Sequence, residues 1–248
     1  MARYFIEVAY KGTNYSGFQI QENAVTIQDC ITKALQTIFK IPFELTGSSR
    51  TDAGVHAQQN FFHFDTDVEC SIDKLYNLNA VLPKDIAVNR LIAVQPDAHC
   101  RFDAIYRGYQ YCIHKHKNPF LNDTSWFYPY QIDESLLHHA ANFILDNTNF
   151  QSFAKQNSQV FTHKCTIVKS TWEKTAWGFT YNVQANRFLR GMVRALVATM
   201  LKVARGAMTI NQFQQLFIMS NNCKADFAAP AHGLTLLEVQ YPSRIRLQ

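Results

Sequence analysis

Segments of helical and strand periodicity alternate along this chain in an order that runs twice, and that alternation constrains the fold more than any other feature. Over 26–39 the apolar residues Ile27, Cys30, Ile31, Ala34, Leu35 and Ile38 recur at i, i+3, i+4, i+7, i+8 and i+11. This is the stripe of an amphipathic helix, with Thr26 placed to cap it. Around it, 3–9, a short run leading towards residue 47, 59–65 and 86–94 read as strands, and a helix over 72–81 ends before Pro83. The second half repeats the order. It has a strand over 105–115, a helix over 134–145, a strand pair over 165–173 and 178–184, a long helix over 188–204, a shorter one over 210–217 and a closing strand over 234–239. We therefore expect an α+β protein of two related units, 1–104 and 105–248, with largely antiparallel sheets and helices packed on the sheets.

Composition excludes several other classes. With 47% hydrophobic and 17% charged residues, the 248-residue chain can bury a substantial core. No run approaches the ~18 apolar residues of a membrane span, and the N-terminus lacks an apolar leader, so the expectation is a soluble cytoplasmic protein. The six cysteines, Cys30, Cys70, Cys100, Cys112, Cys165 and Cys223, contain no C-x-x-C pair and read as reduced thiols. Cys112, His114 and His116 alternate along a strand, but no partner motif accompanies them and we assign no metal. A net charge of +5 is consistent with a polyanionic partner without requiring one.

Chemistry concentrates in 47–57, Gly-Ser-Ser-Arg-Thr-Asp-Ala-Gly-Val-His-Ala. Small and polar residues lie here between the apolar runs 41–45 and 61–64, the profile of a loop holding a site. Asp52 stands two residues from Arg50, whose permanent charge favours an ionised carboxylate suited to act as nucleophile or base. Two plainer readings stay open. Asp-Ala-Gly is a common turn, and Gly-Ser-Ser-Arg could cradle a phosphate, though it lacks the Gly-Lys-Ser/Thr ending of a P-loop. His56 beside the loop reads as structural.

Two further clusters bear on function. Along the strand at 105–115, Arg107, Tyr109 and Tyr111 share one face and Gly108 and Gln110 the other, a pattern that could hold an unstacked base or simply cover a sheet. On the helix read from residue 186 onwards, Arg187, Arg190 and Arg194 fall within about 60° of one another, opposite an apolar side. That side is either a solvated face or an anion clamp. Phe18, Gln19 and Gln21, after Gly17, could line a groove, and Pro230-Ala231-His232-Gly233-Leu234 could form a tight turn into the last strand.

Taken together, Arg50-Thr51-Asp52-Ala53-Gly54-Val55-His56-Ala57, the Arg107-x-Tyr109-x-Tyr111 strand and Phe188-Leu189-Arg190-Gly191-Met192-Val193-Arg194 resemble the tRNA pseudouridine synthase A family in order and approximate spacing. Gly17-Phe18-Gln19, Arg101-Phe102 and 230–234 look like that family's as well, so the resemblance covers nearly the whole chain. Phe18 stands where the family usually has Trp, and Ser48-Ser49 lies in a loop often richer in Gly.

The resemblance implies the pseudouridine synthase fold with a cleft between its units, and isomerisation of uridine to pseudouridine at positions thirty-eight to forty of the tRNA anticodon arm, without cofactor or metal. It implies Asp52 as the catalytic carboxylate, Arg50 and Arg194 as orienting residues with Arg194 the partner of Asp52, and Tyr109 stacked on the uracil. Arg190, Arg107 and Gln19 would add substrate contacts, in a homodimer spanned by the tRNA. The loops 115–129 and 156–163 are candidates for RNA contact. Two other classes fit the residues taken alone: a non-catalytic RNA-binding module built on the same sheet and arginines, and a small-molecule enzyme using the Ser-Ser-Arg loop for phosphate.

Overall fold

A computed structural model describes residues 1–71, 73–155, 161–218 and 225–245. By its contacts the chain divides into two compact units, Met1–Tyr106 with Thr235–Gln248, and Arg107–Leu234. The architecture is α+β, and its strand pairings are mostly antiparallel.

In the first unit β1 (Ala2–Tyr10) lies between β3 (His56–Thr66) and β4 (Ile86–Val94), antiparallel to both. The two-residue β2 (Thr46–Gly47) adds to β3. The closing strand β9 (Leu234–Gln240) returns to this unit, pairing in parallel with β3 through His56↔Thr235 and Ala57↔Leu236. It is tied there by the Val239 N–H on Gln59 Oε1 at 2.9 Å and the Ile105 N–H on the Gln240 carbonyl at 2.8 Å. Helix α1 (Ile27–Phe39) begins as its sequence dictates: Thr26 is extended and its hydroxyl oxygen accepts the Asp29 N–H, while Lys40 closes the helix in the left-handed region at φ 60°. The stripe of Ile27, Ile31, Ala34 and Leu35 is buried. Helix α2 (Lys74–Val81) starts after Asp73, so of the expected 72–81 helix residue 72 lies outside the described residues.

The second unit is built on β5 (Tyr106–His114), β8 (Gly178–Ala185) and β7 (Ile167–Lys174), antiparallel in that order, with a short β6 (Trp126–Phe127) parallel to β5. Helix α3 (Glu134–Leu145), capped by the Asp133 carboxylate on the Leu136 N–H, packs on β7, where the Ser170 hydroxyl donates to the Ala141 carbonyl at 2.8 Å. Helix α4 (Met192–Ala204) is the centre of this unit: only Arg194 and Lys202 along its length are not buried. It packs against α3 and α5 (Ile210–Ile218).

One expectation about α4 is corrected. The sequence reads as a helix from 188, yet Gly191 sits at φ 73°, a left-handed geometry that cannot lie inside a right-handed helix, and α4 begins only at Met192. Arg187 and Arg190 therefore precede the helix, and the arginine face expected from 100° spacing reduces to Arg194.

Candidate active site

In the first unit the segment around Asp52 is a connection pinned on both sides. A turn closes with the Val55 N–H on the Asp52 carbonyl at 3.1 Å, and Gly54 supplies the φ of 79° that a side chain would resist. Asp52 is half-buried and Arg50 is exposed. The Gly12–Asn14 turn packs so closely on this loop that a Cβ at Gly12 would stand 2.0 Å from the Val55 carbonyl oxygen. Gly17 lies against it too, the carbonyl of Thr51 accepting the Phe18 N–H at 3.1 Å.

Behind the loop runs a buried polar brace. Asn60, fully buried, donates through Nδ2 to the Ser49 carbonyl at 2.8 Å and to the Tyr10 hydroxyl at 3.1 Å, and its Oδ1 accepts the Phe61 N–H at 2.9 Å and the Ser49 N–H at 3.3 Å. The Tyr10 hydroxyl lies 2.7 Å from Thr51 Oγ1. Residues before and after Arg50 are thereby tied to the sheet, and Asp52 follows directly on the last of them. Asn60 and Tyr10 carry no chemical signature in the sequence, because an Asn and a Tyr in strands are unremarkable until their register is known.

His56 is buried, and its Nδ1 accepts the Gly12 N–H at 3.0 Å, a structural role as read from the sequence. Phe18 is only 1% exposed and stacks on Phe62 at 4.3 Å and 7° while filling the space over Gly47. It supports the loop from the core. Gln19 and Arg50 are exposed and line one pocket of about 210 Å³ with Thr46, His99, Arg101 and Phe102.

The residues expected from the second unit are also positioned by identifiable partners. Arg107 donates from Nη1 to the Asn186 carbonyl at 3.0 Å. The half-exposed Tyr109 ring meets Phe188 edge to face at 5.1 Å. Arg194, on the first turn of α4, donates from Nε to the Ala229 carbonyl at 2.6 Å, which fixes the plane of its guanidinium. Arg190 is exposed, and its carbonyl accepts the Lys155 N–H. Tyr111 is fully buried and donates to the Pro230 carbonyl at 2.8 Å; burial pushes its hydroxyl above the usual phenol range, so it is a scaffold donor. Its ring lies so near Gly233 that a Cβ there would stand 2.6 Å from it. On the other face of β5, Gln110 bonds its register partner Asn182 at 3.2 Å, the alternation expected from the sequence.

Among the described residues, His63, His99 and Cys100 are the one group whose donor atoms converge as metal ligands could, all within 4.8 Å. Each is already engaged: Cys100 Sγ on the Thr46 carbonyl at 3.1 Å, His63 Nδ1 beside Cys100 Sγ at 3.2 Å, and His99 Nδ1 under the backbone N–H of Arg101 and Phe102. Of the loops expected to meet RNA, 156–160 lie outside the described residues.

A family model described as tRNA pseudouridine synthase matches residues 6–103 and 146–242. A tRNA pseudouridine synthase A from Bacteroides fragilis is 42% identical over 98% of this chain and 98% of its own length. The Parabacteroides distasonis protein of the same name is 39% identical over 99% and 98%. One from Staphylococcus aureus is 37% identical over 96% and 90%.

Proposed function

Because this chain belongs to the tRNA pseudouridine synthase family and acts as an isomerase converting uridine in tRNA to pseudouridine, we propose that Asp52 is its catalytic carboxylate and the anticodon arm its target. The reaction breaks the C1′–N1 glycosidic bond, turns the uracil, and joins C1′ to C5, with one proton lost from C5 and one gained at N1. It is an isomerisation in which no electrons are gained or lost. Exchange at an anomeric carbon calls for an ionised carboxylate held still, whether it attacks C1′ or C6 or removes the C2′ proton. The observation that carries this reading is the half-buried Asp52 on a turn whose preceding residues are braced by Asn60 and Tyr10.

In this proposal Arg50 and Arg194 orient nucleotide and carboxylate, Tyr109 stacks on the uracil, and Arg107, Arg190 and Gln19 contact the RNA. The enzyme extrudes the target uridine, at a cost of a few kcal/mol offset by stacking and phosphate contacts. We further propose a homodimer spanned by one tRNA, working in the cytoplasm. No helix among the described residues is long and apolar enough to cross a membrane.

The test is pseudouridine mapping in tRNA after incubation with wild-type protein and with Asp52→Asn, which keeps the shape and removes the charge. The wild type should yield product at positions thirty-eight to forty, and the variant at least about 10³-fold less. Product from both proteins would end the assignment of Asp52. Product only at other positions would end that of the anticodon arm.

A further inference from the structure

The pocket that Gln19 and Arg50 share with His99, Arg101 and Phe102 contains more recognition chemistry than a reaction on one uridine uses. His99, Arg101 and Phe102 of its lining belong to the loop 99–103, which is fastened at almost every residue. The His99 N–H donates to Asp103 Oδ2 at 2.6 Å and the Asp103 N–H returns to the His99 carbonyl at 3.0 Å. The Ala98 carbonyl takes Arg3 Nη1 at 3.0 Å, and the Cys100 carbonyl takes the Tyr241 hydroxyl at 2.5 Å. Ala98 and Cys100 are buried.

His99 organises the tip. Burial, then the charge of Arg3, holds its imidazole below the usual histidine range, which favours the unprotonated Nδ1 that accepts the N–H groups of both Arg101 and Phe102, at 3.1 and 3.4 Å. Its ring also backs the Phe102 ring at 4.2 Å.

What this fastening presents is an arginine and an aromatic ring. Phe102 is 75% exposed, with the Arg101 guanidinium 5.7 Å from its centre, while Arg101 and Arg50 line the same pocket. A single exposed Phe is ordinary on a protein surface. A Phe on a fastened loop, with a histidine ring on one side, one arginine beside it and a second in the same pocket, is the combination that captures an unpaired nucleotide: the base stacks on the ring and the phosphate meets the guanidinium. A base inside a duplex cannot reach such a ring, so the ligand is single-stranded.

We propose that this pocket is a second nucleotide subsite, which takes an unpaired nucleotide flanking the target uridine on the same strand, with its base on Phe102 and its phosphate on Arg101. The inference rests on the proposed tRNA reaction and extends it. His99 is a positioning residue for this subsite.

The experiment uses an anticodon stem-loop as substrate for the wild type, Phe102→Ala, Phe102→Tyr and Arg101→Gln, with each loop nucleotide beside the target replaced in turn by an abasic one. Phe102→Ala should raise KM about tenfold with kcat within about twofold, and Phe102→Tyr should restore it. One abasic position should weaken the wild type by a similar factor and leave Phe102→Ala unaffected, because ring and base are then already parted. Arg101→Gln should lower the slope of log affinity against log salt by about 0.7, and Phe102→Ala should leave that slope unchanged. Because Phe102 is exposed, its variants should melt with the wild type.

An unchanged KM in Phe102→Ala would overturn the subsite. So would a Phe102→Ala effect that persists with every abasic RNA, or an unaltered salt slope in Arg101→Gln. Wild-type protein that forms no pseudouridine at all would refute the reaction instead. Stem-loop binding by the same four proteins would then still decide the pocket.

Discussion

Replacing Tyr10 by Phe removes one oxygen and leaves the ring in place, which isolates the brace behind Asp52. That oxygen lies 2.7 Å from Thr51 Oγ1 and accepts Asn60 Nδ2 at 3.1 Å, in a region where Tyr10, Thr51 and Asn60 are all buried. Asn60 Nδ2 keeps its bond to the Ser49 carbonyl, so the larger loss falls on Thr51. Two buried hydrogen bonds at a net ~1 kcal/mol each, less what Asn60 retains, give a destabilisation of about 1–2 kcal/mol. For a chain of this size that lowers Tm by about 2–8 °C.

Catalysis should fall as well, because Thr51 precedes the carboxylate. With the loop loosened and not lost, kcat should drop about tenfold, a fraction of the roughly 100-fold that a 1 Å misplacement can cause. Thermal melting and single-turnover pseudouridine formation measure the two effects. Thr51→Val and the double variant complete a cycle whose interaction energy should be near 1 kcal/mol. A coupling within about 0.3 kcal/mol of zero, or a Tyr10→Phe protein with wild-type melting and turnover, would refute the claim that this network holds the loop.

Two further predictions concern the same unit. Gly12→Ala places a methyl group 2.0 Å from the Val55 carbonyl oxygen, backbone against backbone, so the turn after Asp52 must shift. It should cost about 1–3 kcal/mol in denaturant melts and at least tenfold in turnover, and wild-type behaviour in both would contradict the close approach. His63 is pushed down to about 4 by burial, then by His99 and Arg3. The unfolded chain therefore binds a proton that the native protein refuses, and stability should be fully present above pH ~6.5 and decline by about 2 kcal/mol as pH falls towards 4, allowing for residual solvent. In His63→Asn that part of the slope should vanish, leaving the loss at lower pH through Asp65, whose carboxylate Arg3 holds below its ordinary range. An unchanged pH profile in the variant would remove His63 from the account.

Local chemistry settled a large part of this protein before any tertiary contact is considered. The limits of α3 and β4, the Thr26 cap, and the alternation of Tyr109 and Gln110 follow from side-chain period and caps, which act over a few residues. The loop around Asp52 stands out for the same reason, as small and polar residues between strands built for burial. Other features depend on residues far apart in the chain, and only the folded arrangement brings them together. Strand β9 closes the sequence yet pairs with β3, about 180 positions earlier, and no periodicity encodes that choice. The brace joins Tyr10, Thr51 and Asn60 through strand register. Gly191 starts α4 late because a left-handed backbone lies against the Phe227 ring, and the run of apolar residues on both sides hides the break. Sequence patterns report which residues prefer to be buried or turned; which distant groups then share a hydrogen bond is decided by packing, since its energy exists only once the chain has closed on itself.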